Sequence, residues 1–302
     1  MAKKSDGGGG FFLLMVVVAV AVFGYYTSQQ GSSAEPPDTP SPGTGEGVGR
    51  YVALGDSYTS SPETGKQAGE PEGCDRSDNN YPHLVAAEIG PAEFVDVSCS
   101  GAATRDLGSP QETRRGTNPP QLDAVNEATT LVTLGIGGND VGLVGLAGEC
   151  ATTHAEGAKC RDRFTAGGGD ELVDRIVTAA DRVGDAIGKI KAKAPNAKVV
   201  LVGYPTILPD GNGCWPALPV GAGDVNYLRG ILEHLNGKLA ETAKDNQAGF
   251  VDTAKPTQGH DLCTNSDERY VEGVIPTSRA TGLHPNAKGA RAMADAVLRV
   301  VE

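Results

Sequence analysis

One serine in this chain stands where a parallel sheet would present a nucleophile. Residues Arg50 to Tyr58 read R-Y-V-A-L-G-D-S-Y. The consecutive apolar residues predict a strand buried on both faces, and the glycine permits a tight turn. Because ligands of open α/β sheets bind beyond the carboxyl ends of strands, Ser57 is a candidate nucleophile. Gly, Asp and Ser are also ordinary turn residues, so this tripeptide alone is a weak signal.

A serine nucleophile needs a base and donors aimed at the developing oxyanion. Two further apolar runs end in small-residue loops that contain Gly101 and Asn139. In a parallel sheet these loops share an edge with Ser57, so two backbone N–H groups, of Ser57 and Gly101, and the Asn139 amide are predicted to converge on one oxygen. Of the five histidines, His284 is the candidate base, because Pro285 after it suits the first turn of the last helix.

The elements that must position these residues alternate between strands and helices. This alternation predicts a parallel sheet with helices on both faces. Polar or glycine-rich insertions at 59–80, 141–169 and 209–223 are expected to form walls around the strand ends. Strands are predicted at 51–54, 93–97, 131–136, 198–203 and 250–252, and helices at 82–89, 119–128, 141–147, 170–194, 224–246 and 285–301.

Charge and composition restrict the partners. The 302 residues carry a formal net charge of -12 at a pI near 4.9, which argues against a nucleic-acid surface. The hydrophobic share of 39% is ordinary for a globular protein and allows a sizeable core.

The first residues predict export. Lys3 and Lys4 precede an uncharged apolar stretch from Phe11 to Tyr26. A helix of that length would be about 24 Å long, short of a hydrocarbon core of about 30 Å. Residues 1–26 are therefore interpreted as a signal peptide or a signal anchor, and the sequence supports cleavage and retention equally. Both options place the rest of the chain outside the cytoplasm. Residues 27–49 are predicted to be a disordered linker, and 50–302 the catalytic domain.

Six cysteines in an exported chain favour disulfides over free thiols or metal ligands. Fifteen pairings are possible from the sequence alone. His154 lies between Cys150 and Cys160, but no C-x-x-C pair accompanies it, and no metal site is expected.

At four points the sequence resembles the SGNH hydrolases, also called the GDSL family. The motifs are G-D-S-Y from Gly55, C-S-G-A from Cys99, G-G-N-D from Gly137 and H-P-N from His284. They match the four family letters in order, and the resemblance covers about residues 51–302. It implies a flavodoxin-like three-layer α/β/α sandwich with a five-stranded parallel sheet. It also implies ester hydrolysis without a cofactor, with Ser57, Gly101, Asn139 and His284 as the site and with Asp56 and Asp140 bracing its loops.

The strongest similarity is to the secreted bacterial esterases and lipases of this family. Their three sequential disulfides imply the pairs Cys74–Cys99, Cys150–Cys160 and Cys214–Cys263.

Two residues depart from the family pattern. Tyr58 stands where the family name has Leu, a change expected to leave the chemistry unaltered. Many members carry an Asp three residues before the histidine, and here that residue is Thr281. Asp252, Asp261 or a backbone carbonyl must then orient His284, and the resemblance to disulfide-bearing members favours the carbonyl of Thr281.

The resulting hypothesis is an esterase or lipase that acts on small-molecule, lipid or acylated-glycan esters. It is expected to be a monomer, either secreted or anchored at the outer face of the cytoplasmic membrane. A carbohydrate O-acetylesterase is the alternative within enzymes, and a non-catalytic surface-binding protein on the same fold is the alternative outside them. No G-x-S-x-G motif supports an α/β-hydrolase elbow.

Overall fold

The fold is organised around a five-stranded sheet in which every neighbouring pair of strands is parallel. A computed structural model describes residues 48–302. The strands in chain order are β1 (Arg50–Gly55), β2 (Glu93–Asp96), β3 (Gln111–Thr113), β4 (Gly116–Asn118), β5 (Thr129–Gly135), β6 (Lys198–Val202) and β7 (Gly249–Val251). The sheet order is β2-β1-β5-β6-β7, so its strands run 2-1-3-4-5 by chain position, as in flavodoxin-like folds.

Strand β1 shows why the sequence forms this sheet. Its residues Tyr51 to Leu54 are fully buried. Tyr51 and Ala53 pack into one hydrophobic layer, while Val52 and Leu54 pack into the other, because successive side chains of a strand point to opposite faces. A continuous apolar run therefore serves two cores at once.

Helices cover both faces, which confirms the predicted three-layer α/β/α sandwich. Side chains of α6 and α7 pack in the larger core, and those of α2 and α9 in the smaller one. The helices are α1 (Ser57–Ser60), α2 (Tyr81–Ile89), α3 (Gly138–Val141), α4 (Leu143–Glu149), α5 (Lys159–Phe164), α6 (Glu171–Lys193), α7 (Ala222–Asp245), α8 (Ala254–Thr257) and α9 (Ala287–Val301).

The structure differs from the predicted elements in two places. The helix expected at 119–128 is only a 3-10 turn, Gln121–Ala124, because Val125 returns to extended backbone. The antiparallel hairpin of β3 and β4 was not predicted, since its short polar strands, Q-E-T and G-T-N, carry no alternating apolar pattern.

The N-terminal interpretation lies outside the described residues. The proposed signal segment 1–26 and the linker up to residue 47 belong to that part of the chain. Across residues 48–302, no helix combines the length and apolar character needed to cross a membrane.

The three predicted disulfides are confirmed. Cys214–Cys263 ties the 209–223 insertion to the loop that follows α8, and Cys74–Cys99 ties the 59–80 insertion to the loop that follows β2. Cys150–Cys160 closes the 141–169 insertion on itself. Each insertion is thus held by one covalent link.

We expect the stability lost with each bridge to follow the length of the loop it closes. The separations are 49 residues for Cys214–Cys263 and 10 for Cys150–Cys160. Loop-closure entropy predicts that replacing both cysteines of the longer loop by serine lowers the free energy of unfolding by about 4 kcal/mol, and of the shorter loop by about 3 kcal/mol. Urea unfolding of the two double variants measures this order. A larger loss for the Cys150–Cys160 variant would contradict it.

Candidate active site

The turn after β1 places Ser57 at the carboxyl edge of the sheet. Asp56 caps α1 by accepting a hydrogen bond from the N–H of Tyr58 at 2.9 Å, and its own N–H donates to the carbonyl of Gly135 at the end of β5. Glycine is required at position 55, because a Cβ there would lie 2.5 Å from the Gly135 oxygen. The serine turn is therefore fastened directly to the neighbouring strand.

Ser57 and His284 meet at this edge. The Ser57 Oγ lies 2.7 Å from His284 Nε2, and the two residues are 4% and 5% exposed. A hydroxyl at this distance from an imidazole nitrogen can pass its proton to the ring. Burial lowers the pKa of His284, while the hydrogen bond to the Gly282 carbonyl raises it in part. The ring is therefore neutral at neutral pH and free to accept a proton.

The second imidazole nitrogen corrects the prediction for Thr281. His284 Nδ1 lies 2.7 Å from the carbonyl oxygen of Gly282, whereas the Thr281 carbonyl accepts the backbone N–H of His284 at 3.2 Å. Leu283 adopts the left-handed region with φ 64°, and this turn directs the Gly282 carbonyl back to the ring. A main-chain oxygen does face the histidine, but it belongs to the next residue along.

The two carboxylates considered for this position have other partners. Asp252 accepts the backbone N–H groups of Ala254 and Lys255 at the start of α8. Asp261 accepts the N–H of Cys263 at 2.9 Å. Their bonds are those of helix caps and turns.

The predicted oxyanion donors lie in adjoining loops. Asn139, in α3, donates one hydrogen of its amide to the Ala102 carbonyl at 2.8 Å, which leaves the second hydrogen for another acceptor. Gly101 has φ 78°, a conformation that favours glycine. Among the hydrogen bonds of residues 48–302, neither the N–H of Ser57 nor that of Gly101 has an acceptor. Convergence of these donors on one oxygen stays a prediction.

Asp140 braces the loop beside Asn139, as the resemblance implied. Its two carboxylate oxygens accept the hydroxyl of Thr104 at 2.5 Å and the N–H of Thr104 at 2.9 Å. Arg182 of α6 approaches the same carboxylate at 3.4 Å. The loops after β2 and β5 are thereby joined.

Tyr204 is a residue of the site that sequence reasoning missed. Its hydroxyl donates to Asp56 at 2.5 Å and accepts the N–H of Gly138 at 2.6 Å, so it joins the serine turn to α3. Burial raises the pKa of Asp56 to about 7, although the hydrogen bonds from Tyr204 and Tyr58 lower it. Its position in the sequence could have indicated a role in the site, because Tyr204 follows the carboxyl end of β6 as Ser57 follows that of β1.

Glu272 was also missed, and it supports residues 273–286, the loop that carries His284 (the histidine loop). This fully buried carboxylate accepts hydrogen bonds from Asn286, Ser278 and Thr277. The shortest bond from each of these residues is 2.6 to 2.8 Å long. Burial would raise its pKa, but these hydrogen bonds lower the pKa to about 2. Nothing in the surrounding sequence distinguishes Glu272 from a surface glutamate.

Tyr58 contacts the histidine loop directly. Its hydroxyl donates to the Leu283 carbonyl at 2.7 Å, and its ring centroid lies 5.0 Å from that of His284. The expectation that a tyrosine here leaves the chemistry unaltered did not include this bond. Leucine would supply the apolar contact without the hydrogen bond.

A small apolar cavity of about 50 Å³ lies beside these residues. It lies between the 141–169 insertion, the 209–223 insertion and the histidine loop. Its lining includes Tyr58, Leu146, Ala147, Ile207, Leu218 and Leu283.

Comparison with known proteins gives concordant matches. The model of the GDSL-like Lipase/Acylhydrolase family matches residues 53–292. Lipase 2 of Streptomyces coelicolor is 36% identical over 260 residues, which cover 83% of this chain and 85% of that protein. The crystal structure of phospholipase A1 from Streptomyces albidoflavus has a TM-score of 0.69 at 31% identity, covering 84% of this chain and 98% of that one. An extracellular lipase from Streptomyces rimosus has a TM-score of 0.68 at 29% identity, with the same coverages.

We expect Tyr58→Phe to lower kcat while KM changes little. The ring remains against His284, but the Leu283 carbonyl loses its donor, so the histidine loop is positioned less firmly. Misplacement of a reacting group by about 1 Å can cost about 100-fold, and we expect a loss of about 10- to 100-fold. Steady-state kinetics on a chromogenic ester measure it. Tyr227→Phe is the matched control, because that hydroxyl donates to Asp170 at the start of α6. Equal kcat values for the two variants would contradict the role.

Proposed function

Because this chain belongs to the GDSL-like lipase/acylhydrolase family and is a carboxylic ester hydrolase, we propose that Ser57 is its nucleophile, His284 its base and a lipid acyl ester its substrate. The observation that carries the proposal is the pair of 2.7 Å contacts at the His284 ring, from Nε2 to Ser57 and from Nδ1 to the Gly282 carbonyl. The carbonyl holds the proton on Nδ1 and leaves Nε2 as the acceptor.

The reaction then follows acyl transfer in two steps. His284 Nε2 takes the proton of the Ser57 hydroxyl as Oγ bonds to the ester carbonyl carbon. The tetrahedral oxyanion accepts hydrogen bonds from the N–H groups of Ser57 and Gly101 and from the free amide hydrogen of Asn139. The ester C–O bond breaks as the imidazolium returns its proton to the leaving alcohol. Water, deprotonated by His284, releases the acid from the acyl-enzyme. No step requires a cofactor or metal ion.

A carbonyl in place of a carboxylate has an energetic consequence. It sets the tautomer of His284, but it carries no full negative charge to stabilise the imidazolium. Stabilisation of the transition state therefore rests more on the oxyanion donors, each of which is worth about 100- to 1000-fold in rate in well-studied hydrolases.

The apolar lining of the cavity favours an aliphatic acyl chain over an acetyl group. Tyr58 and Leu283 place this lining next to the proposed catalytic pair. A carbohydrate O-acetylesterase would bind only two carbons of acyl group and would use little of this apolar surface. The relatives that are named lipase and phospholipase A1 support the same choice.

We also propose that the protein acts outside the cytoplasm as a monomer. The three disulfides suit an oxidising compartment, and one relative is described as extracellular. Both members of the catalytic pair come from one chain. Whether residues 1–26 are cleaved or retained decides between release and anchoring, and mass spectrometry of the exported protein distinguishes the two.

We expect Ser57→Ala to abolish ester hydrolysis and labelling by a fluorophosphonate. Asn139→Ala should retain the label but lose about 100-fold or more in kcat, because an oxyanion donor acts in the transition state. Asp252→Asn and Asp261→Asn serve as controls, and they should stay within about tenfold of the parent, whereas loss of a triad carboxylate can cost about 10⁴-fold. Turnover by folded Ser57→Ala protein would refute the mechanism.

We expect Ala147→Phe to shift specificity toward short acyl chains. Ala147 lines the cavity and is only partly buried, so a larger side chain can enter the cavity without disrupting the core. The ratio of kcat/KM for a dodecanoyl ester to that for a butanoyl ester should fall by about tenfold, since several buried methylenes lose their contacts. Ala166→Phe, at an exposed position in the loop after α5, is the control. An unchanged ratio in Ala147→Phe would mean that acyl chains bind elsewhere.

A further inference from the structure

Two of the most exposed apolar side chains lie next to each other in the histidine loop. Within residues 48–302, the exposed large apolar side chains are Val177, Trp215, Val274 and Ile275. Ile275 is 82% exposed and Val274 is 41% exposed. Single exposed apolar residues are normal on protein surfaces, whereas adjacent exposed branched aliphatics at one loop tip form a small apolar patch, the kind of feature that can mark an interaction site.

The protein holds this tip away from its own core. The carboxylate of Glu272 accepts the N–H of Thr277 at 2.8 Å and the hydroxyl of Ser278 at 2.6 Å. These bonds close a short loop, and the segment 274–276 projects from it. Because Glu272 is fully buried, its bonds are shielded from water and keep the loop in place.

The tip adjoins the residues that position the base. The Gly273 carbonyl accepts the N–H of Leu283 at 3.3 Å, and a Cβ on Gly282 would lie 2.7 Å from the Val274 carbonyl. Gly282 orients His284, and Leu283 lines the apolar cavity. The exposed pair therefore belongs to the loop that also orients His284 and forms part of the cavity wall.

The charge of the segment suits a lipid surface. The chain has a net charge of -12, but residues 273–283 contain no acidic side chain, and Arg279 is their one charged residue. Residues 274–279 are exposed. This part of an acidic protein can approach lipid phosphates without repulsion, and its aliphatic tip can enter the layer of acyl chains.

We propose that Val274 and Ile275 insert into the surface of aggregated lipid and hold the active site against it. The proposal rests on the proposed function, since it assumes that the cavity takes its acyl chain from that surface. The tip would then give the enzyme a preference for esters in bilayers or micelles over the same esters free in water.

Fluorescence quenching tests the insertion without any turnover. In the full chain, Trp215→Phe removes the one tryptophan, and Ile275→Trp then reports on the tip. With vesicles of ether-linked phosphatidylcholine that carry brominated chains, we expect the emission of this variant to shift to shorter wavelength and to be quenched. Val177→Trp in the same background, on α6, is the control and should not be quenched. The readout belongs to one side chain, so membrane binding by residues 1–47 does not produce it.

Kinetics test the consequence. Ile275→Ser should lower the ratio of the rate on phospholipid vesicles to the rate on a soluble short-chain ester by about tenfold, the effect of losing one buried aliphatic side chain. Val177→Ser should leave the ratio at the parent value. An unquenched Ile275→Trp variant, or an unchanged ratio for Ile275→Ser, would overturn the proposal. Ile275-dependent dimers seen by sedimentation without quenching would assign the tip to a second copy instead.

The two proposals fail in different ways. Loss of the Ser57 mechanism would show in hydrolysis of the soluble ester, which the tip does not need. Loss of the surface role would show in quenching by ether lipids, which cannot be hydrolysed at the ether linkage.

Discussion

The site depends on one contact between residues that are 227 positions apart, the 2.7 Å bond from Ser57 to His284. Strand β1 fixes the serine, but no regular element fixes the histidine, which lies before α9 in a loop. That loop is held by the bond from Tyr58 to the Leu283 carbonyl and by the bond from Asn286, at the start of α9, to Glu272. Within the loop, the Gly282 carbonyl orients the imidazole ring. A buried polar group left without its partner costs about 1 to 3 kcal/mol, so these bonds set the loop position firmly.

Buried hydrogen bonds also connect the loops on the other side of the site. Tyr204 stands between Asp56 and Gly138, and a Cβ at Gly138 would lie 2.9 Å from its ring, so backbone and phenol are in close contact. Thr104 and Asp140 connect the loops after β2 and β5 in the same manner. The proposed catalytic groups come from separate loops of the chain, and a layer of buried hydrogen bonds connects those loops into one rigid unit.

The sequence predicted the sheet and the residues at its edge well, for a physical reason. Buried parallel strands need long apolar runs, such as Tyr51 to Leu54, and a parallel sheet brings all carboxyl ends to one side. What it missed were partners chosen by backbone conformation. The position of the family's Asp points to Thr281, three residues before His284, whereas the left-handed φ of Leu283 brings the Gly282 carbonyl to the ring. Tyr204 and Glu272 gained their roles through contacts distant in the chain, which no local pattern encodes.

In the proposed mechanism, substrate binding and catalysis share side chains. Tyr58 and Leu283 line the apolar cavity, and the bond between them also positions the loop that carries His284. An acyl chain in the cavity would contact both residues and exclude water from their hydrogen bond. The hydrogen bond would become stronger, because the local dielectric constant would be lower. Occupancy of the cavity would thereby tighten the contact that aligns the base with Ser57. On this argument a long acyl chain contributes to kcat as well as to KM, because part of its binding energy goes into positioning the catalytic pair.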